Sequence, residues 1–288
     1  MPSCITHQLI SERARELLPE PVKEAAERRH DYYFLGAQGP DVFFFYKPLS
    51  KKEFNFGRYL HRNRVYDVFR YFAAALNESD GTERERLKAY AAGYLCHYCA
   101  DTAFHPYVYR YLEEHGCDKS VHQLIESDWD VFFARMAGKE ATGWRFPFSA
   151  KKINAEKTLF RLFEGLAETL GRLRAHEKAF ARGVSLYERY LKFFHGKSRA
   201  KFFRRAETLF RADHVCSALY PRKETDPAYL YGEEFKRLSG AASADDLFKQ
   251  AVNETAELSS IFFRAAEEDL PLPRERFSLS FLSALPVP

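Results

Sequence analysis

The sequence predicts an all-α protein, a bundle of many helices, on three observations. The 27 Phe and 17 Tyr residues recur in helical i, i+3, i+4, i+7 patterns, as at Phe69, Phe72, Ala73 and Leu76. Convincing strand signals are missing. Pro and Gly punctuate the chain at Pro19-Glu20-Pro21, Gly36 to Pro40, Asp80-Gly81 and Gly138, then at Gly143, Pro147, Pro221 and Pro227, and near its end at Pro271, Pro273, Pro286 and Pro288. The stretches between them are roughly ten to twenty-five residues long, the usual range for helices.

With 288 residues, 46% of them apolar, the chain can bury a substantial core. It reads as one domain over 1–288, with its motifs in 1–138 and a helical remainder in 139–288. Lys+Arg 44 against Asp+Glu 40 leaves +4, which excludes a disordered, highly charged chain and binding driven by overall charge alone. The charge is uneven, because residues 151–213 carry 16 Lys/Arg and 7 Asp/Glu, or +9, leaving −5 elsewhere. Such a stretch suits phosphate groups or anionic lipid, and a solvated outer helix face is the favoured reading. The apolar run Val42 to Tyr46 is far short of the ~20 residues of a transmembrane helix. Glu12, Arg13, Arg15, Glu16 and Glu20 interrupt the apolar stretch a signal peptide needs. The expectation is a soluble, cytoplasmic protein without a transmembrane segment. Five cysteines without framework spacing predict no disulfide scaffold.

Two helix starts have a mechanism. Thr82-Glu83-Arg84-Glu85 has the S/T-x-x-E form, in which side chains at both ends satisfy free backbone donors. That helix is predicted to end at Pro106, because a residue before proline is pushed out of the α region. Ser120-Val121-His122-Gln123 repeats the signal, with Gly138 as its stop.

These helices carry the chemistry. His97, Asp101 and His105 fall at i, i+4 and i+8, so they project from nearly one face, with His97 and His105 about 12 Å apart along the axis. One ion with ~2.1 Å bonds does not hold both. Two ions, one beside each histidine with the Asp101 carboxylate between them, fit the spacing and predict a multinuclear metal site inside the helical bundle. His122 and Glu126, at i and i+4, are about 6 Å apart along their helix and suit one ion. Imidazole with carboxylate favours zinc or a similar ion over calcium or magnesium. Further candidates lie upstream at His7, Asp41 and His61.

In order and spacing these residues resemble the zinc-dependent phospholipase C and single-strand nuclease superfamily. The matching pieces are Thr6-His7, Leu35-Gly36-Ala37-Gln38-Gly39-Pro40-Asp41, His61, Gly93 through His105-Pro106, and His122-x-x-x-Glu126, over about the first 130 residues. The histidine four residues after Asp101 is spaced as in the amino-terminal domain of glycosylphosphatidylinositol-specific phospholipase D. The resemblance implies an all-α bundle around two or three Zn2+ ions. It implies one ion held by Asp41, His61, His97 and Asp101, and a second held by His105, His122 and Glu126. A third would be held by His7 and Asp101, completed by the amine of Pro2 once Met1 is removed. It further implies hydrolysis of a phosphoester, with zinc activating water and Asp41 orienting it. The expected substrate is a phosphodiester (a phospholipid headgroup, nucleic acid or a small diester), with peripheral membrane contact in the lipid case.

Rival readings use other residues. Cys96 and Cys99 form a C-x-x-C, but helical geometry turns both off the metal face, so packed thiols are expected. His30-Asp31 matches the dyad of HD-type metal phosphohydrolases but leaves His97, Asp101 and His105 idle. Glu27-x-x-His30 lacks the second copy that a di-iron bundle needs. A non-catalytic, metal-stabilised binding module is the alternative outside enzymes. Val42-Phe43-Phe44-Phe45-Tyr46 reads equally as core or as an apolar wall of the site. His115, His176, His195 and His214 fit no ligand spacing.

Overall fold

The computed structural model describes residues 4–45, 55–172, 177–199, 201–202, 205 and 225–287. Pro2, Tyr46, His176, His214, Cys216 and Pro221 lie outside the described residues. Helices α1 (Cys4–Arg15), α2 (Glu20–Arg28) and α3 (His30–Gly36) lead into a 3-10 segment, Gly39–Phe45. Then come α4 (Phe56–Leu60), α5 (Val65–Asn77), α6 (Gly81–Glu114), α7 (Lys119–Met136), α8 (Ala150–Glu156), α9 (Thr158–Thr169) and α10 (Glu177–Phe194). A 3-10 turn, Pro227–Tyr229, precedes α11 (Glu233–Ser239), α12 (Ala244–Glu267) and α13 (Arg274–Phe277). Among the described residues there are isolated bridges but no strand, so the fold is the all-α bundle the sequence predicts. No helix among them is long and apolar enough to cross a membrane.

Helix α6 is the axis of the bundle. It is buried along most of its length from Leu87 to Val108. One apolar cluster joins it to α3, α5, α9 and α10 through Phe69, Tyr94, Phe163 and Tyr187. A second joins it to α1, α7, α11 and α12 through Ile5, Tyr107, Trp129 and Phe235. The helix does not stop at Pro106 as predicted, but continues to Glu114 with Pro106 inside it. An internal proline costs ~3 kcal/mol. The next two residues, Tyr107 and Val108, are fully buried, and the Tyr107 ring packs 4.5 Å from Phe235. Burial of two large side chains, each giving roughly 1.5–3 kcal/mol, offsets the broken backbone bond.

Both predicted N-caps also move. Helix α6 starts at Gly81 behind Asp80, and no side-chain cap bond forms there, so the Thr82 box is not used. Helix α7 starts one residue before Ser120, because Asp118 is the better-placed acceptor and takes the Ser120 amide at 2.7 Å. Its predicted stop is real: Gly138 has φ +69°, and the Lys139 amide reaches back to the Ala134 carbonyl, a Schellman end. Much of the basic stretch is an outer face with local partners. Lys152 pairs with Asp31, Arg161 with Glu83 and Lys192 with Glu188, while the Arg172 guanidinium lies over the Tyr59 ring.

Helices α3 and α6 touch backbone to backbone. A Cβ on Gly93 would overlap the Tyr33 carbonyl oxygen, and one on Gly36 would overlap that of Tyr90. Gly-to-Ala in a helix ordinarily stabilises by roughly 0.5–1 kcal/mol. Here the sign reverses: Gly93→Ala is expected to destabilise by at least ~1–3 kcal/mol, the cost of overpacking, read by urea unfolding. A second prediction concerns pH. Burial of His195 drives its imidazole down from 6.5 to about 4. Its neutral form is favoured in the folded state, so its contribution is whole above 6.5 and is lost as pH falls towards 4. Across that window the wild-type fold should lose more stability than His195→Gln; equal losses would contradict it.

Candidate metal centre

Four elements and one helix cap aim side chains at a common buried space beside the middle of α6. From α6 come His97, Asp101 and His105, from α1 His7, from the 3-10 segment Asp41, from the C-cap of α4 His61, and from α7 His122 and Glu126. They form three groups able to hold a cation: His7, His97 and Asp101; Asp41, His61 and His97; and His105, His122 and Glu126. All are buried except His122, which is partly exposed and marks the side open to solvent.

The hydrogen bonds fix which nitrogen each imidazole offers. His61 Nδ1 lies 2.6 Å from the Gly57 carbonyl, His97 Nδ1 3.2 Å from that of Ala37, and His105 Nδ1 2.7 Å from that of Phe281. A carbonyl only accepts, so each Nδ1 carries the hydrogen and, in a neutral ring, Nε2 presents a lone pair. Those lone pairs face carboxylate oxygens: His61 Nε2 is 3.1 Å from Asp41 Oδ1, His97 Nε2 3.3 Å from Asp101 Oδ2, and His105 Nε2 3.2 Å from Glu126 Oε1. His97 Nε2 and Asp101 Oδ2 are both buried and have no hydrogen-bond partner. Two acceptors facing each other in a low-dielectric interior are costly unless a cation is shared between them. The residues present therefore suit a divalent metal with nitrogen and oxygen ligands.

Electrostatics agree. Burial raises the Asp101 carboxyl, but the His105 and His97 imidazoles and the contact with His7 outweigh it and hold the group well below the usual carboxylate range. Burial likewise raises Glu126 and Asp41, and His122 and His61 respectively lead the interactions that bring them down. Burial pushes the His97 imidazole below its ordinary value against the pull of Asp101, which favours the neutral, ligating form. For His105, burial is outweighed by Asp101 and Glu126, and its imidazole is pushed up to about 9. A proton there meets the same demand as a metal ion, so metal binding would release it.

His97 and His105 fall in separate groups, as expected for residues about 12 Å apart along a helix axis. Asp101 lies between the two histidines, with Oδ2 3.3 Å from His97 Nε2. Its Oδ1 turns to His7 Nε2 at 3.3 Å, while His105 approaches Oδ2 at 3.5 Å only with Nδ1, the nitrogen already committed to Phe281. Gly39, with φ +51°, carries the chain over the His97 ring, where a Cβ would overlap the imidazole. The run after Asp41 divides: Val42 and Phe43 enter the core, and Phe44 stacks on the His61 ring at 5.4 Å. Cys96 and Cys99 are buried free thiols off the metal face. His30 is exposed and Asp31 pairs with Lys152 at 2.7 Å, so no metal dyad forms there.

The family model of zinc-dependent phospholipase C matches residues 6–184. The chain belongs to the zinc-dependent phospholipase C family. At family level this makes it a zinc-dependent phosphoesterase, with a phospholipid-type substrate implied. No curated protein and no solved structure matches the chain. The zinc-dependent phospholipase C match passes Gly138, where the motifs end, and takes in α8, α9 and the first part of α10. Those helices contribute no ligand to the three groups, and α9 and α10 pack aromatic rings behind the site, as Phe163 does against Phe43 at 4.4 Å, so spacing could not reveal them.

Sequence reasoning missed Asp130. It sits four residues after Glu126, on the same face of α7, and that spacing was the available signal. Its carboxylate accepts from the amides of Ile5 at 3.2 Å and Thr6 at 2.7 Å, and from the Thr6 hydroxyl at 2.8 Å. It thus caps α1 from another helix and fixes the turn that carries His7. Asp130→Ala leaves those buried donors unmet and is expected to cost ~1–3 kcal/mol. It should also weaken zinc binding by the chain; zinc titration against a chelator, beside urea unfolding, reads both.

Proposed function

We propose that the chain is a phosphodiesterase of phospholipase C type, which uses water to cleave the bond between the diglyceride oxygen and the headgroup phosphate. The observation that carries this reading is the set of imidazole lone pairs facing buried carboxylates in three adjoining groups. In this reading Asp41, His61, His97 and Asp101 hold one zinc, His105, His122 and Glu126 a second, and His7 with Asp101 a third. Bound zinc would lower the pKa of water and neutralise charge developing on phosphoryl oxygens.

The chain's own residues do the rest. Asp41, held ionised by His61, is placed to accept a proton from the attacking water and to orient it. Phe44, stacked on His61, supplies an apolar wall for the glyceride side of the substrate. Arg62, exposed and next in the chain to His61, interacts with Tyr109, whose ring lies 5.4 Å from that of His122. Its guanidinium stands at the open side of the centre, where it would pair with a phosphate oxygen. The family match favours the lipid over the nucleic-acid branch.

Zinc-loaded protein should release phosphocholine from short-chain phosphatidylcholine and leave single-stranded DNA intact. Asp101→Asn should lower that activity at least ~100-fold and lose zinc while the chain stays helical, since changes even behind a metal ligand cost 10–100-fold in affinity or activity. Degradation of single-stranded DNA without headgroup release would move the chain to the nuclease branch. Zinc binding with neither activity would make it a metal-stabilised binding module.

A further inference from the structure

Residues 278–287 lie almost a hundred positions beyond the end of the family match, yet they reach the centre. The Phe281 amide donates to the His61 carbonyl at 3.1 Å, and the Ser280 hydroxyl donates to the same oxygen at 3.4 Å. The Phe281 carbonyl accepts from His105 Nδ1 at 2.7 Å. Its ring is fully buried, 5.3 Å from that of His61, 5.8 Å from that of His97 and 5.1 Å from that of Tyr98. The segment is itself closed and anchored. The Ser280 amide bonds the Leu285 carbonyl and the Val287 amide that of Ser278, both at 2.8 Å. The Tyr98 hydroxyl accepts from the Leu279 amide and donates to the Arg276 carbonyl.

We propose that this segment is a strap built into the metal centre, and that Phe281 is a positioning residue which decides how His105 and Asp101 are used. The proposal rests on the reading of the buried groups as a zinc centre. His105 Nδ1 has two acceptors within reach, the Phe281 carbonyl at 2.7 Å and Asp101 Oδ2 at 3.5 Å. The nearer one wins and does two things. It turns Nε2 to Glu126 and His122, and it leaves Asp101 Oδ2 for His97 and His61. Without the strap the His105 N–H would donate to Asp101, which would occupy the oxygen that the neighbouring group needs. A main-chain carbonyl behind a ligating imidazole fixes tautomer and orientation in this way. Here it comes from a part of the chain that carries no ligand.

The test uses the whole 288-residue chain, purified without a metal-binding tag. Phe281→Ala lets the strap drift, while Phe281→Leu keeps bulk without the ring. Phe262→Ala removes a buried ring of the same cluster, beside Phe69 and Phe277 and away from the ligands. Zinc affinity is read by chelator competition, the ligand field by the visible spectrum of the cobalt(II) form, and folding by circular dichroism. Phe281→Ala should weaken zinc ~10–100-fold and shift the cobalt bands with helicity kept. Phe281→Leu should fall between it and wild type, and Phe262→Ala should lose stability with zinc affinity and cobalt bands unchanged. Wild-type affinity and bands in Phe281→Ala would overturn the proposal, as would matching losses in Phe262→Ala. If Phe281→Ala does not fold, Phe281→Leu decides, with at least ~3-fold weaker zinc expected and wild-type behaviour overturning it. A wild-type chain that binds no zinc would overturn the zinc-centre reading and the strap with it, whereas zinc binding unaffected by Phe281 would overturn the strap alone.

Discussion

A main-chain carbonyl behind each of three imidazoles is the constraint on which the centre depends. With Nδ1–H given to Gly57, Ala37 and Phe281, the rings of His61, His97 and His105 keep their lone pairs on Nε2, aimed at Asp41, Asp101 and Glu126. In a buried space that arrangement is repulsive until a proton or a metal ion is shared, and the surrounding fold has to hold it against that repulsion. Folding free energy and metal affinity are therefore linked, because contacts that keep these groups opposed in the folded chain are prepaid when the ion binds.

Much of the architecture serves to deliver those three carbonyls. The glycine contact between α3 and α6 presses Ala37 against His97. The last turn of α4 supplies Gly57 to its own cap residue, His61. The strap after α13 supplies Phe281. Gln38 ties the loop that carries Asp41 to the start of α1, its amide nitrogen donating to the Cys4 carbonyl and its oxygen accepting from the Tyr187 hydroxyl of α10 at 2.7 Å. Asp130 performs the corresponding task for His7. The helices without ligands thus set the distances between those with them, through packing that leaves no regular spacing in the sequence.

The sequence by itself determined the helical class, the face shared by His97, Asp101 and His105, the pairing of His122 with Glu126, and the family, whose match covers 6–184. These are local facts, since a helix places i and i+4 on one side whatever surrounds it. The family's linear motifs then order His7, Asp41 and His61 along the chain. The stop at Gly138 was equally local, an αL residue that glycine adopts without strain.

Tertiary structure decided what local rules could not. It carried α6 through Pro106, because burying Tyr107 and Val108 outweighs one missing hydrogen bond. It moved the α7 cap to Asp118 and left the Thr82 box unused. It set Asp101 Oδ1 against His7 and gave the His105 Nδ1 hydrogen to a backbone carbonyl 176 residues later in the chain, with Asp101 Oδ2 the more distant acceptor. Carbonyl acceptors of this kind have no side-chain signature, because every residue carries one and only the packed fold selects which is used. Residue type and spacing therefore specify which atoms can bind an ion, and long-range packing fixes which lone pair each of them presents.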